Sequence, residues 1–480
     1  VCVVLGGCFA LRPSRGGGQT SFTPGRGLQP ADIAVPAGYS IQPVASGLTF
    51  PTGVTFDAAG RPHVVEAGYA YGEVWTTPRL LRLEADGHLT TVATGGRNGP
   101  WTGAVFHEGA FYVAEGGELE GGRILRITPD GEITPLVADL PSRGDHHTNG
   151  PAVGPDGWLY FAIGTYTNSG VVGEENARFG WLKRFPREHD VPCRDVTLTG
   201  VNFESRDALN GGSRNRVRTG AFVPFGTATT PGQVVPGRAP CSGAVLRVRA
   251  DGGSPELVAW GFRNPFGLAF TPDGRLYATD NSYDDRGSRP VHGAGDLLWA
   301  VTPGTWYGWP DFHGDRPLDD GDHFDPPGKP RPRLLLAQHP NRPPKPAAVL
   351  DVHASANAFD FSRSPAFGHA GQAFIPLFGD QAPVVGKTWA PVGFKVVRVD
   401  PLSGVIHDFA VNRGQTNGPA SWLGRGGLER PIAARFDPAG TALYVVDFGV
   451  MTMTAKGAEP RRETGVLWRI TGAAPAGTGG

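Results

Sequence analysis

The chain has 480 residues, and its 44 Lys plus Arg against 45 Asp plus Glu leave a formal charge of −1, without the basic excess that nucleic acid or an anionic membrane surface demands. No apolar run reaches the roughly 18 to 20 residues needed to span a bilayer. Glycine (72) and proline (45) are abundant but accompany 26 Phe, 11 Trp and 10 Tyr, so the breaks punctuate packed segments and point to a turn-rich, all-β fold.

The chain opens VCVVLGGCFALRPSRGGGQ. Its Leu5-Gly6-Gly7-Cys8 resembles the end of a bacterial lipoprotein signal, with Cys8 as the lipidated residue; a chance Gly-Cys is the plainer alternative. On the first reading 1–8 is a signal remnant, 9–37 a flexible Gly/Pro/Ser-rich tether, and the protein an exported periplasmic or cell-surface lipoprotein that meets a membrane only through Cys8. Cys193 and Cys241 are then the pair left in the body, and in an oxidising compartment one disulfide is expected of them. Two buried thiols or metal ligands are the other reading, but no CxxC or nearby His pair gives a zinc or haem spacing.

From about residue 40 one outline recurs six times. Hairpins begin at Pro51-Thr-Gly-Val-Thr-Phe56, Trp101-Thr-Gly-Ala-Val-Phe106, Asn149-Gly-Pro-Ala-Val153, Pro265-Phe-Gly-Leu-Ala-Phe270, Asn357-Ala-Phe-Asp-Phe361 and Pro431-Ile-Ala-Ala-Arg-Phe436. A third strand follows each, as in Leu80-Leu-Arg-Leu83, Ile124-Leu-Arg-Ile127 and Val466-Leu-Trp-Arg-Ile470, and a fourth often completes a sheet, as in Leu89 to Ala93. Serial four-stranded units that cannot bury both faces alone predict a six-bladed β-propeller over 38–472. The last unit lacks a fourth strand, since only a Gly/Ala tail (473–480) remains, so the N-terminal strand Tyr39 to Ala45 is expected to supply it and remove the open edge.

In such a ring the loops entering the first strands open on one face around the axis. They bring Arg97, Asn98, Asp145, His146, Arg263, Asn264, His353 and Arg430 to one funnel. Two loops between second and third strands reach the same face. One, the insertion 165–242, is far longer than an ordinary connection and is expected to be a lid or pocket wall. The other, from Asp280 to Asp296, is acidic and glycine-rich, which suits either a hard cation such as calcium or a merely solvated loop. The Gly144-Asp145-His146-His147 loop suits proton abstraction, since histidine is the side chain that titrates near neutrality; a surface His pair is the alternative.

With Asp145-His146 followed by Gly154-Pro155-Asp156, the string Gly261-Phe-Arg-Asn-Pro-Phe-Gly-Leu-Ala-Phe270, and Tyr307-Gly308-Trp309-Pro310, the chain resembles the quinoprotein family of soluble glucose, aldose and sorbosone dehydrogenases. That resemblance implies a six-bladed propeller using pyrroloquinoline quinone (PQQ) and Ca2+ to oxidise an aldose-type sugar, and it excludes the insertion. It implies His146 as catalytic base with Asp145 beside it, and Arg263 and Asn264 holding the quinone. Arg430 falls near a family arginine over the quinone. Ser282 and Tyr283 fall where carbonyls meet the cofactor's calcium; Asp296 and Tyr307 match a second, structural calcium site. Counting back from Gly154 selects His146, whereas counting from Gly150 favours His147.

The sequence departs from the pattern in two places. Arg97-Asn98 stands where the family has Gln or Glu, and Gly379 where a lysine is expected; Lys387, in the following loop, is a candidate to replace that lysine. Without a CxxCH haem motif, electrons must leave to a separate acceptor. Two other functions compete: a calcium-dependent lactonase-type hydrolase, which would want several carboxylates at the axis, and a non-catalytic carbohydrate- or protein-binding propeller.

Overall fold

The computed structural model describes residues 12–18, 26–210 and 215–472. Six antiparallel sheets, five of four strands and one of five, follow one another. Their first strands touch in a closed cycle: Pro51–Phe56, Trp101–His107, Thr148–Val153, Pro265–Phe270, Asp360–Phe361, Pro431–Phe436, and back to the first. The fold is therefore the expected six-bladed β-propeller.

The second blade shows how the sequence makes such a sheet. Trp101–His107 and Ala110–Glu115 are joined by Glu108-Gly109, both with positive φ (45° and 79°), the conformation whose twist matches a two-residue hairpin. Gly122–Ile127 and Ile133–Leu140 complete the blade. Glycines in the first strands allow neighbouring blades to meet at the axis: a Cβ on Gly103 would lie 2.5 Å from the Gly150 carbonyl oxygen, and one on Gly267 2.5 Å from that of Asn357. The adjoining threonines tie the same strands, Thr52 Oγ1 donating to Trp101 O and Thr102 Oγ1 to Thr148 O, both at 2.7 Å. Farther out, apolar side chains fill the space between blades. Val65, Leu80, Trp101, Phe111, Val113 and Leu125 form the layer between the first two, each large side chain stabilising by about 1.5–3 kcal/mol on burial.

The sixth blade closes the ring. Tyr39–Leu48 lies on Gly465–Gly472, with Tyr39 opposite Gly472 and Ile41 opposite Ile470, so strands from opposite ends of the propeller share one sheet. The stretch expected as a tether is packed where it is described. Ile33–Ala34 adds a fifth strand to the fifth blade, and Arg26 pairs with Asp447 at 2.5 Å, both side chains buried. Gly17 N donates to Asp380 Oδ2 at 3.3 Å. Buried carboxylates in the fifth and sixth blades thus draw this segment in, since each needs a partner. Cys8, with the rest of 1–8, and the tail 473–480 lie outside the described residues.

Two insertions rise above the ring. The first, within the third blade, carries helices Glu174–Arg178 and Trp181–Arg184 and the pairs Phe203–Arg206 with Arg216–Thr219 and Val196–Thr197 with Val234–Val235. The Cys193–Cys241 disulfide closes its base. The second, residues 301–347 between the last two strands of the fourth blade, is not anticipated from the sequence. Its Trp306, Trp309 and Leu335 pack on Val171, Leu198 and Phe222 of the first, making one cap. No helix among the described residues is long and apolar enough to cross a membrane.

Candidate active site

Under the cap, on the axis, lies a pocket that is partly open to solvent. Its polar side comes from the Gly144–His147 loop, Arg263-Asn264 and the 281–296 loop; its apolar side includes Phe266, Phe378, Val384, Ile432 and Met453. One device sets the loops that enter the first strands. An acid ending the second strand accepts hydrogen bonds from the backbone of the entering loop: Glu66 from Thr49 N, Asp280 from Arg263 N and Asn264 N (2.7 Å), and Asp447 from Glu429 N and Arg430 N (2.8 Å). Burial raises the Asp280 carboxyl to about 6, and these backbone donors pull it back. An acid at this place recurs at Glu66, Glu115, Asp280 and Asp447 and is visible in the sequence once the blades are aligned, with Glu115 accepting from the side chains of Asn98 and Trp101 instead.

His146 is buried, with Nδ1 2.8 Å from the Thr165 carbonyl oxygen and 3.2 Å from its Oγ1. A carbonyl only accepts, so Nδ1 carries the proton and Nε2 keeps a free lone pair. No described residue bonds Nε2, and the side chain lines the pocket. Burial first, then the Arg263 and Arg286 guanidiniums, hold its pKa well below the ordinary value, so the ring is neutral at pH 7.

Asp145 does not contact His146 through its carboxylate. Oδ1 accepts from Trp181 Nε1 (2.7 Å) and Asn176 Nδ2 (3.0 Å), both in the cap, and Oδ2 forms an ion pair with Arg286 at 2.8 Å. Arg286 in turn contacts Asp284 Oδ2 through Nε at 2.9 Å, and Arg263 reaches the same oxygen at 2.7 Å. The result is a buried chain of alternating charge, Asp145–Arg286–Asp284–Arg263. Burial alone would raise the Asp284 carboxyl, but Arg263 and Arg286 outweigh it and hold it far below the usual carboxylate range. Arg263 also donates to Asn168 O and Oδ1 and to Asn281 O.

The remaining expected residues divide. Asn264 lines the pocket, donating to Asn281 Oδ1 and accepting from Asn149 Nδ2. Ser282 and Asp296 line it too; Asp296 accepts from Ser282 N (2.9 Å) and Ala356 N (2.8 Å), and burial raises its carboxyl to about 6. Tyr283 is buried behind them, its hydroxyl donating to Phe312 O. Tyr307 sits in the core, stacked on Phe262, with its hydroxyl bonded to Ala300 O and Thr302 N and away from Asp296. Arg430 lies behind the apolar wall, bonded to the carbonyls of Gly379 and Asp380 and between the rings of Phe378 and Phe394. Arg97 is exposed outside the pocket, and Lys387 donates to Arg12 O. Gly379 lines the pocket with φ +96°, where a Cβ would meet Phe394 at 2.3 Å.

Sequence reasoning missed Thr165, Asp284, Arg286 and Trp181. Asp284 and Arg286 lie in the acidic loop already singled out; Thr165 and Trp181 carry no local signal.

Fold and site together define a capped six-bladed propeller with a neutral histidine beside buried arginines on its axis. No protein-family model matches the chain. A 190-residue segment is 23% identical to quinoprotein glucose dehydrogenase B of Acinetobacter calcoaceticus, covering 37% of this chain and 29% of that protein. Among solved structures, the PQQ-bound form of an aldose sugar dehydrogenase from Streptomyces coelicolor is 17% identical, with a TM-score of 0.51 over 91% of this chain and 99% of that one. The calcium structure of a Trichoderma reesei carbohydrate-active enzyme of family AA12 is 16% identical, with a TM-score of 0.51 over 93% and 98%. At these identities the structures bear on the fold, and it is the fold that the quinoprotein resemblance implies.

Proposed function

We propose that the axial pocket binds PQQ together with a calcium ion and oxidises an aldose-type sugar, with His146 as general base. The observation that carries this reading is the His146 tautomer: Thr165 fixes the proton on Nδ1 and leaves Nε2 to accept one inside the pocket.

The residues present suit the cofactor. PQQ is a flat tricarboxylate, and the pocket offers an apolar wall and two guanidiniums, Arg263, which is buried, and Arg286, whose side chain is 10% exposed. Four lining cations (Arg178, Arg263, Arg286, Lys456) stand against five lining carboxylates (Glu73, Glu118, Asp145, Asp284, Asp296), so three further carboxylates call for an added cation. Among the described residues no cluster of three His, Cys, Asp or Glu side chains suits a metal, and no hydrogen bond ends on the Ser282 or Tyr283 carbonyl. Those two carbonyls are the oxygens that would hold calcium.

When bound, the quinone would accept a hydride from the sugar carbon. His146 Nε2 would take the proton of the reacting hydroxyl, while Thr165 holds the ring in place. Arg263 and Asn264, fixed by Asp280, would orient the bound cofactor, and the cap's Trp181 would help exclude water. The electron acceptor is a separate partner. The Cys193–Cys241 disulfide supports an exported, oxidising location. Titrating the apo-protein with PQQ and calcium, followed by absorbance and then by sugar-dependent dye reduction, tests the reading; no quinone binding, or no activity across an aldose panel, would reject it.

A further inference from the structure

His147 is buried, and among the described residues neither ring nitrogen makes a well-formed hydrogen bond, although the Ser142 backbone lies close enough to act on the ring. Such a group in a folded interior calls for a ligand or a water. Its Nδ1 is 3.9 Å from Glu118 Oε2, too far for a hydrogen bond and the right gap for one atom bonded to both. The other Glu118 oxygen is held by Arg184 of the cap. Tyr71 lies nearly parallel to the His147 ring, centroids 6.4 Å apart at 25°, and Tyr69 meets it edge-on at 6.1 Å. Both tyrosines are fixed by their hydroxyls, Tyr69 on Glu73 Oε1 and Tyr71 on Asp145 O. All four side chains line the same pocket as His146.

A hydroxyl can accept from whichever of His147 Nδ1 and Glu118 carries a proton and donate to the other, which an ammonium, a donor only, cannot do. Glu73 and Glu118 oppose an anion. Tyrosine faces complement the C–H faces of a sugar ring.

We propose that Glu118 and His147, floored by Tyr69 and Tyr71, form a subsite that seats a non-reacting hydroxyl of an aldopyranose and so selects the sugar. The identity of the reacting hydroxyl rests on the dehydrogenase reading; the subsite itself does not.

The test is calorimetric titration of the full chain, without quinone, with D-glucose, D-galactose, D-mannose and D-xylose, followed by the monodeoxy analogues of the tightest binder. One deoxy analogue should bind roughly 10- to 100-fold more weakly to the wild type, the worth of the two hydrogen bonds that it forfeits. In Glu118→Gln and in His147→Ala the parent sugar should weaken by a similar factor and the penalty for that analogue should vanish. Two independent variants, each checked by its melting temperature, guard against a misfolded one. No aldose binding, or variants that discriminate as the wild type does, would overturn the subsite. Discriminating binding by a protein without PQQ-dependent turnover would support the subsite and remove the dehydrogenase reading; turnover with unchanged discrimination in both variants would do the reverse.

Discussion

Arg286 lies 2.8 Å from the Asp145 carboxylate, joining the acidic loop of the fourth blade to the histidine loop of the third. Among the described residues it is the one side chain that contacts both Asp145 and Asp284 through charge. Replacing it with leucine leaves two buried carboxylates short of a partner, and a loss of about 3–5 kcal/mol is expected in urea unfolding. Removing its positive charge should also raise the His146 pKa, moving the acid limb of the activity profile toward higher pH. A stability loss without that movement would separate the two effects.

His146→Ala should lower turnover by roughly 10²- to 10⁴-fold while quinone affinity, read by absorbance titration, stays near wild type, because general-base loss removes a term present only in the transition state. In the wild type the base form is the neutral ring. Since burial and two arginines depress its pKa, activity should hold as pH falls through 6.5 and fail only well below it. Near-normal turnover in the variant would reject the assignment.

Burial lowers the His147 pKa to about 4. With a folded value below the unfolded one, near 6.5, the folded state binds fewer protons between those limits. Stability from this group is therefore full above pH 6.5 and is lost as pH falls toward 4. Between pH 7 and pH 4.5 it should cost about 2–3 kcal/mol, so His147→Phe should show a pH dependence smaller by that amount. Buried carboxyls with raised values, such as Glu175 and Asp190 at about 7, act in the opposite sense and remain in both proteins.

Cys193 and Cys241 close a span of 48 residues at the base of the cap. Changing both to serine should cost about 2–4 kcal/mol, and because the span holds the outer hairpins, limited proteolysis should cut within 194–240 first. Cleavage in the blades at the same rate would contradict a locally loosened cap.

The ring was legible because its signals are local: Pro-Asp-Gly turns such as Pro155-Asp156-Gly157, the Thr-Gly and Phe-Gly pairs of inner strands, and an N-terminal strand to complete the last sheet. His146, Arg263, Asn264, Ser282 and Asp296 share the pocket because blade order alone carries their loops to the axis. What failed to show were partnerships set by side chains that arrive from elsewhere. Asp145 sits beside His146 in sequence, but Trp181, Asn176 and Arg286 claim its carboxylate, and only tertiary packing places them there. Arg430 lies at the end of an entering loop, yet a guanidinium that finds the carbonyls of Gly379 and Asp380 and two aromatic rings is satisfied behind the wall. The second half of the cap, around Trp306 and Trp309, gave no sign of itself because its apolar partners lie in the other insertion.

The pairing of Tyr39 with Gly472 has a mechanical meaning. These residues are the first and last of two antiparallel neighbours, so tension between the chain's two ends, once the short Ile33–Ala34 bridge yields, acts on the outermost bonded pair of the seam. The load passes from Tyr39/Gly472 to Ser40/Thr471 and onward, breaking the ladder rung by rung instead of sliding all its rungs together. A pulling experiment should therefore part this seam at low force, with the five other blades still folded as it opens.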